Sequence, residues 1–205
     1  MARLFSIRPA WTFRGREFHG MRGWSGKPSH PPFTDFPIVC YVVAAVFDVI
    51  SFAVGSGDDP SPIAFELYRA ATFVLAAGLL FAVPTALTGF WDWWKGMDRD
   101  RSVGVFGRAK HTQVWRTANW HAVIMVTATI VVIVDLVIRA AGSDEPSTPV
   151  VAMILSVIPA GLVTFGAAYG GALVYEYQFN VEPLKDRTYW DETEVDQGPG
   201  GQELR

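Results

Sequence analysis

The sequence predicts an all-α fold: an integral membrane four-helix bundle built from two repeated transmembrane hairpins. Two observations predict it, namely four long apolar runs and a pattern that recurs in the two halves of the chain. Of the 205 residues, 50% are hydrophobic and only 18% are charged, against about 25% charged in a soluble domain. This composition, with a net charge of −3, argues against a soluble enzyme, a disordered chain and a nucleic-acid-binding protein.

The four apolar runs define the predicted helices. A membrane-spanning helix needs about 20 apolar residues. The runs that reach this length are 36–55, 63–90, 118–141 and 150–175. We expect each of them to cross the bilayer, although the second also contains Glu66 and Arg69.

Two polar segments flank the predicted bundle, which occupies residues 36–177. Residues 1–35 alternate arginine with large aromatic side chains. This composition is typical of a segment that rests on lipid headgroups at the cytoplasmic surface, and a docking arm for another subunit is the alternative. Residues 178–205 are polar and acidic and contain Gly-Pro-Gly-Gly, so we expect a loosely ordered cytoplasmic tail.

Lysine and arginine are distributed unevenly among the segments that connect the runs. The first 35 residues hold six of them, and the segment between the second and third runs holds six more. The short turns 56–62 and 142–149 hold none. The positive-inside rule therefore predicts a multi-pass protein of the plasma or inner membrane with both termini in the cytoplasm.

The two halves of the chain share a pattern near the outer end of their first run. Asp48 precedes Gly55 by seven residues, and Asp135 precedes Gly142 by the same number. In both halves an acidic turn with a Pro-Ser pair and a new apolar run follow. We interpret this as a duplicated helical hairpin, whose copies would be related by an axis along the membrane normal.

Charged residues inside the apolar runs are costly, so they are expected to be paired or functional. Asp135 and Arg139 are four residues apart on one helix and can pair directly. Asp48 and Arg69 lie at nearly the same depth on the two helices of the first hairpin, and we expect them to pair as well. These structural ion pairs would stabilise the outer half of the bundle; a proton relay is the alternative.

Two of the four histidines are candidate cofactor ligands. His30 directly precedes the Pro-Pro pair that leads into the first run, and His121 opens the third run, so both would lie near the cytoplasmic face. One imidazole from each half could supply the two axial ligands of a b-type haem. Alternatively, His30 and His121 could join Asp92 and Glu176 in a divalent-metal site. In a third interpretation each histidine only caps or hydrogen-bonds a helix end.

The single cysteine, Cys40, restricts the chemistry of this chain. One cysteine cannot form an internal disulfide, a c-type haem attachment, an iron–sulfur cluster or a zinc–thiolate site. The sequence also offers no pattern typical of a covalent nucleophile, a phosphate loop or a hydrolytic triad. We therefore expect an electron-transfer subunit at most, and not an enzyme.

Several short motifs together resemble a family of predicted membrane proteins called domain of unknown function 2231. The resemblance covers roughly residues 27–181. The motifs are His30-Pro31, Phe47-Asp48, the segment from Leu87 to Asp92, His121-Ala122, and the segment from Gly171 to Tyr175. Some family members are fused to a Rieske-type iron–sulfur domain, which implies a respiratory or photosynthetic electron-transfer setting.

The expected function follows from these observations together. We expect a membrane subunit of a larger redox complex, of respiratory or photosynthetic type, that holds haem b between His30 and His121 near the cytoplasmic face. Its partners would be the lipid bilayer and other membrane subunits of that complex. The alternative is a cofactor-free scaffold subunit that stabilises a membrane complex.

Overall fold

Four long helices make up most of the part of the chain that the structure describes. The computed structural model describes residues 29–57, 61–96, 112–142 and 145–180, and the backbone of 99–100 and 108–109. The helices are α1 (His30–Gly55), α2 (Pro62–Gly96), α3 (Gln113–Ala141) and α4 (Val150–Tyr175). Two short antiparallel strands, β1 (Arg99–Asp100) and β2 (Arg108–Ala109), lie between α2 and α3. All four helices are long and apolar enough to span a membrane, which confirms the predicted helical fold.

The helix starts follow from local chemistry. α1 begins after Ser29 and carries proline in its first turn, where the missing N–H costs no hydrogen bond. Thr112 caps α3, because its hydroxyl accepts a hydrogen bond of 3.2 Å from the backbone N–H of Trp115. Pro149 precedes α4 in an extended conformation. These residues mark the starts of α1, α3 and α4.

The helices pack as two antiparallel hairpins, α1–α2 and α3–α4. α1 also packs along α4 and, less extensively, α2 packs along α3. α1 and α3 make few contacts with each other, so they lie diagonally opposite. The end of the bundle where α1 and α3 end and α2 and α4 begin is called the outer end here. The end where α1 begins and α2 ends is called the inner end.

Small side chains fill the centre of the bundle. The core cluster consists of Tyr41, Ala44, Ala71, Leu75, Ala128, Val132 and Val163. A Cβ on Gly78 would lie 2.7 Å from the Cβ of Cys40, so α1 and α2 come together at a position that only glycine permits. Close approach of this kind drives helix packing in membranes. The outward faces carry exposed valine, isoleucine, leucine and phenylalanine side chains, which suits contact with lipid.

The first helix begins earlier than the apolar run that predicts it. α1 starts at His30, so residues 30–35, which were expected in the N-terminal arm, belong to the helix. The prolines and polar residues there continue the helix beyond its apolar part. Residues 1–28, the rest of the predicted arm, lie outside the described residues.

The chain folds back after α4. The backbone N–H of Phe179 donates to the carbonyl of Leu173 over 2.8 Å, and Asn180 has a left-handed φ of 56°, a conformation common just after helix ends. The side chains of Phe179 and Asn180 lie so close to Gly96 that a Cβ there would come within 2.6 Å of each. The start of the predicted tail thus packs on the bundle; residues 181–205 lie outside the described residues.

Candidate functional site

His30 and His121 lie next to each other toward the inner end of the bundle. Their ring centroids are 6.4 Å apart, and the ring planes are nearly perpendicular, at 87°. Because α1 and α3 are diagonal to each other, the two rings meet across the interior. Both residues are only partly exposed. The two histidines that the sequence singles out therefore form one site.

Each imidazole is hydrogen-bonded to a backbone carbonyl on the other helix of its own hairpin. Nδ1 of His30 lies 3.0 Å from the carbonyl oxygen of Thr85, and Nδ1 of His121 lies 2.9 Å from that of Gly166. A carbonyl only accepts hydrogen bonds, so each Nδ1 carries hydrogen and donates it. In the neutral ring the lone pair is then on Nε2, which is the nitrogen available to a ligand.

A glycine lies beside each ring, four residues after the anchoring carbonyl. A Cβ on Gly89 would come 2.6 Å from Cε1 of His30, and a Cβ on Gly170 would come 3.1 Å from Cε1 of His121. Four residues are about one helical turn, so the carbonyl and the glycine share a helix face. Glycine therefore lets each ring rest directly against the backbone that anchors it.

The two hairpins place their buried residues at corresponding positions of α2 and α4. The same spacing of 81 residues relates Thr85 to Gly166, Gly89 to Gly170, Ala71 to Ala152, Leu75 to Ser156, and Ala82 to Val163. The carbonyl and glycine that hold each histidine follow this spacing too. Each histidine is thus held by equivalent positions of its hairpin.

The other two candidate metal ligands are not gathered around the histidines. Glu176 follows the end of α4 and is exposed, whereas Asp92 is buried in α2. Among the described residues, no group of three or more histidine, cysteine, aspartate or glutamate side chains could hold a metal ion. The structure does not assemble the four-residue site predicted from His30, Asp92, His121 and Glu176.

In the outer half, the buried charges form one cluster around Arg139. Its Nε donates to Oδ1 of Asp135 over 2.9 Å, while Nη1 and Nη2 donate to Oδ1 and Oδ2 of Asp48 over 3.2 and 2.5 Å. The hydroxyl of Thr148, in an outer turn, also donates to Asp48, over 2.9 Å. These four residues, the Arg139 cluster, are almost completely buried and join α1 to α3.

The predicted pairing of Asp48 with Arg69 is wrong, because Arg139 occupies that place. Arg69 is exposed, and its guanidinium carbon lies 5.4 Å from the centroid of the Phe65 ring. Asp48 and Arg69 have similar depth, but neighbouring helix residues point about 100° apart, and α2 turns Tyr68 toward Arg139 instead. The predicted contact of Asp135 with Arg139 is present.

Comparison with known proteins finds one family. The model of a family described as predicted membrane protein (DUF2231) matches residues 26–183. No curated protein and no solved structure matches the chain. The matched segment contains all four helices, both site histidines and the whole Arg139 cluster.

Proposed function

This chain belongs to the DUF2231 family of predicted membrane proteins, and we propose that it is an electron-transfer subunit in which His30 and His121 bind a b-type haem. The observation that carries the proposal is the matched pair of imidazoles. Each has its Nδ1 bound to a carbonyl, so each would present Nε2 to the iron. A hydrogen-bonded second nitrogen is the usual way in which proteins orient a metal-binding histidine.

The separation of the rings suits a single metal ion between them. A bond between a metal and an imidazole nitrogen is about 2.0 Å long, so an ion bound by both rings would separate their centroids by about 6 Å. The observed separation is 6.4 Å. Among the described residues, no third histidine, cysteine, aspartate or glutamate completes a metal-binding group with this pair, and two imidazoles alone suit haem iron better than a structural divalent ion.

The surroundings of the pair would keep water from the haem. An apolar cluster around Ala118 and Leu173, which includes Trp93 and Trp115, packs at the inner end of the bundle. Ala118 and Leu173 each lie three residues from a site residue, His121 and Gly170. A haem there would supply one-electron chemistry, while the chain holds its axial ligands and limits solvent access, which tunes the potential.

The proposed setting is a larger redox complex in the plasma or inner membrane, with both termini in the cytoplasm. The twelve lysines and arginines of the first 35 residues and of the segment between the second and third runs support this orientation. It puts the histidine pair on the cytoplasmic side, within reach of a cytoplasmic donor or a quinone. The shared spacing of 81 residues supports a duplicated hairpin as the origin of the site.

An absorbance spectrum tests the proposal directly. The full-length chain is expressed with a supply of haem, purified in detergent, and measured oxidised and reduced. We expect a Soret band and the reduced-minus-oxidised difference spectrum of a low-spin haem with two imidazole ligands. If the haem-replete protein has no Soret band, the haem proposal is overturned and the cofactor-free scaffold subunit takes its place.

Variants of the histidines test the ligand assignment. We expect His30→Ala and His121→Ala each to lose the low-spin spectrum, because each removes an axial ligand. His19→Ala and His111→Ala, which replace the other two histidines of the sequence, are the matched controls and should keep it. Circular dichroism establishes that the variants remain helical, and added imidazole should restore the spectrum of His121→Gly. A His121→Ala protein with an unchanged spectrum would contradict the assignment.

A further inference from the structure

We propose that the Arg139 cluster is a proton-binding site, in which Asp135 carries one exchangeable proton. This site lies in the outer half of the bundle, apart from the histidine pair, and its argument does not depend on haem. The proposal rests on three observations: unequal hydrogen bonding of the two carboxylates, an excess of negative charge in the cluster, and a cavity beside Arg139.

The two carboxylates of the cluster are bonded very differently. Asp48 accepts three hydrogen bonds, two from Arg139 and one from Thr148. Asp135 accepts only one, at Oδ1, from Nε of Arg139. Its Oδ2 is fully buried and has no hydrogen-bond partner among the described residues. Hydrogen bonds from donors stabilise the ionised form of a carboxylate, so the negative charge belongs on Asp48 and the proton on Asp135.

The charges around Asp135 do not balance unless one proton is bound. Asp48 faces the cluster from α1, and α2 contributes Tyr68, whose ring centroid lies 5.1 Å from the guanidinium carbon of Arg139. α2 also contributes the hydroxyl of Thr72, which accepts from Nη1 of Arg139 over 3.2 Å, and the exposed Arg69, which lines the cavity beside Arg139. α4 contributes only the carbonyl of Ala152, 3.4 Å from Nη2 of Arg139. Within the described residues, Arg139 is thus the one cation bonded to two buried carboxylates. Buried charges in a membrane must be compensated, and one proton makes this cluster neutral.

A cavity gives the proton a way to the cluster. It has a volume of about 220 Å³ and lies between α2 and α3 in the outer half of the bundle. Arg139, Tyr68, Thr72 and the exposed Arg69 line it together with the apolar side chains of Phe73 and Leu136. Arg139 therefore borders both the cavity and Asp135, so a proton can exchange there without unfolding of the bundle.

Infrared spectroscopy tests this proposal on the full-length chain in lipid vesicles near neutral pH. A protonated carboxyl group has a carbonyl stretch that an ionised carboxylate lacks. We expect one such band from the buried acid, a shift of that band in D₂O because the proton exchanges, and loss of the band in Asp135→Asn. Glu66→Gln, which changes an exposed acid on α2, is the matched control and should keep the band.

A second measurement covers the case in which Asp135→Asn does not fold. Labelling the wild-type chain with ¹³C at the aspartate side-chain carboxyl should shift the same band and assign it to an aspartate. The proposal is overturned if the wild type has no such band, if the band stays in folded Asp135→Asn or does not move with the label, or if it does not shift in D₂O. None of these outcomes depends on the haem spectrum.

Discussion

The histidine pair of the inner half and the Arg139 cluster of the outer half use polar side chains in opposite ways. In the inner half, His30 and His121 each bond to a carbonyl of their own hairpin. In the outer half, Arg139 of one hairpin bonds to Asp48 of the other, and Tyr68 donates to the carbonyl of Gly142 across the same boundary. The Arg139 cluster therefore joins the hairpins, whereas the two imidazoles are positioned separately and meet only as neighbouring rings. Elsewhere at the inner end the hairpins are also joined, because Nε1 of Trp93 donates to Oδ1 of Asn119 over 3.0 Å.

This difference indicates what each half is built for. Buried polar groups are normally satisfied within the protein, and the Arg139 cluster satisfies all but one of its oxygens. A pair of rings with one bonded nitrogen each is a poor way to hold two hairpins together, but it is a good way to hold two ligands for a metal. Stability should thus depend mainly on the outer half, and cofactor binding on the inner half.

The largest effect should come from removing the cation of the outer half. Arg139→Met leaves two buried carboxylates without their partner, so we expect a loss of about 3–5 kcal/mol in the free energy of unfolding. The midpoint of thermal unfolding in detergent measures this loss. Arg69→Met removes an arginine that is exposed and should change stability by at most about 0.5 kcal/mol. Equal effects of the two substitutions would contradict the expectation that the stability of the outer half depends on Arg139.

A smaller effect, confined to the inner half, should follow when the glycines beside the rings are replaced by alanine. Gly89→Ala brings a Cβ to 2.6 Å from the His30 ring, and Gly170→Ala brings one to 3.1 Å from the His121 ring. Overpacking of this kind costs about 1–3 kcal/mol. We expect Gly89→Ala to cost more than Gly170→Ala, and both to lower the haem content of the purified protein.

The control for these glycine substitutions is Gly161→Ala. A Cβ at Gly161 would meet nothing within 4 Å, so this change should leave both the haem content and the stability close to those of the wild type. If Gly161→Ala lowers haem content as much as Gly89→Ala does, the contact between glycine and ring does not position the histidine.

The smallest effect should come from the outer turn. Thr148→Val removes one hydrogen bond to Asp48, and such bonds in membrane proteins contribute about 0.6 kcal/mol on average. Thermal unfolding should show a small loss of stability, while the haem spectrum stays unchanged. A change in that spectrum would show that the two halves are coupled more strongly than their separate bonding suggests.

Helix positions could be predicted from the sequence because hydrophobicity alone decides which segments cross a membrane. The outer ends of the helices at Gly55 and Ala141 coincide with the ends of the apolar runs. The inner ends of α1, α2 and α3 extend further, since polar residues can continue a helix beyond its apolar part, whereas α4 ends at Tyr175 with its run. His30 lies in such an extension, and the position of His121 near the start of a run was the signal that placed it at the same end.

The partner of Asp48 could not be predicted in this way, because depth along a helix does not say where a side chain points. Arg139 lies nearer the outer end of its helix than Asp48 does. Side chains lean toward the start of their helix, and α3 starts at the inner end, so the long Arg139 side chain reaches back to Asp48. The hydrogen bonds from the histidines to the carbonyls of Thr85 and Gly166 could not be predicted from the sequence either. The spacing of Gly166 and Gly170 was the one signal that could have indicated the face of α4 that contacts His121.

The anchoring of each histidine within its own hairpin has a consequence for biogenesis. The hydrogen bond that orients each imidazole lies within one hairpin, so we expect each hairpin to orient its own imidazole without the other. The proposed coordination of haem iron, however, would need both. Haem binding would therefore indicate that the two hairpins have assembled correctly, and a single hairpin would bind no haem.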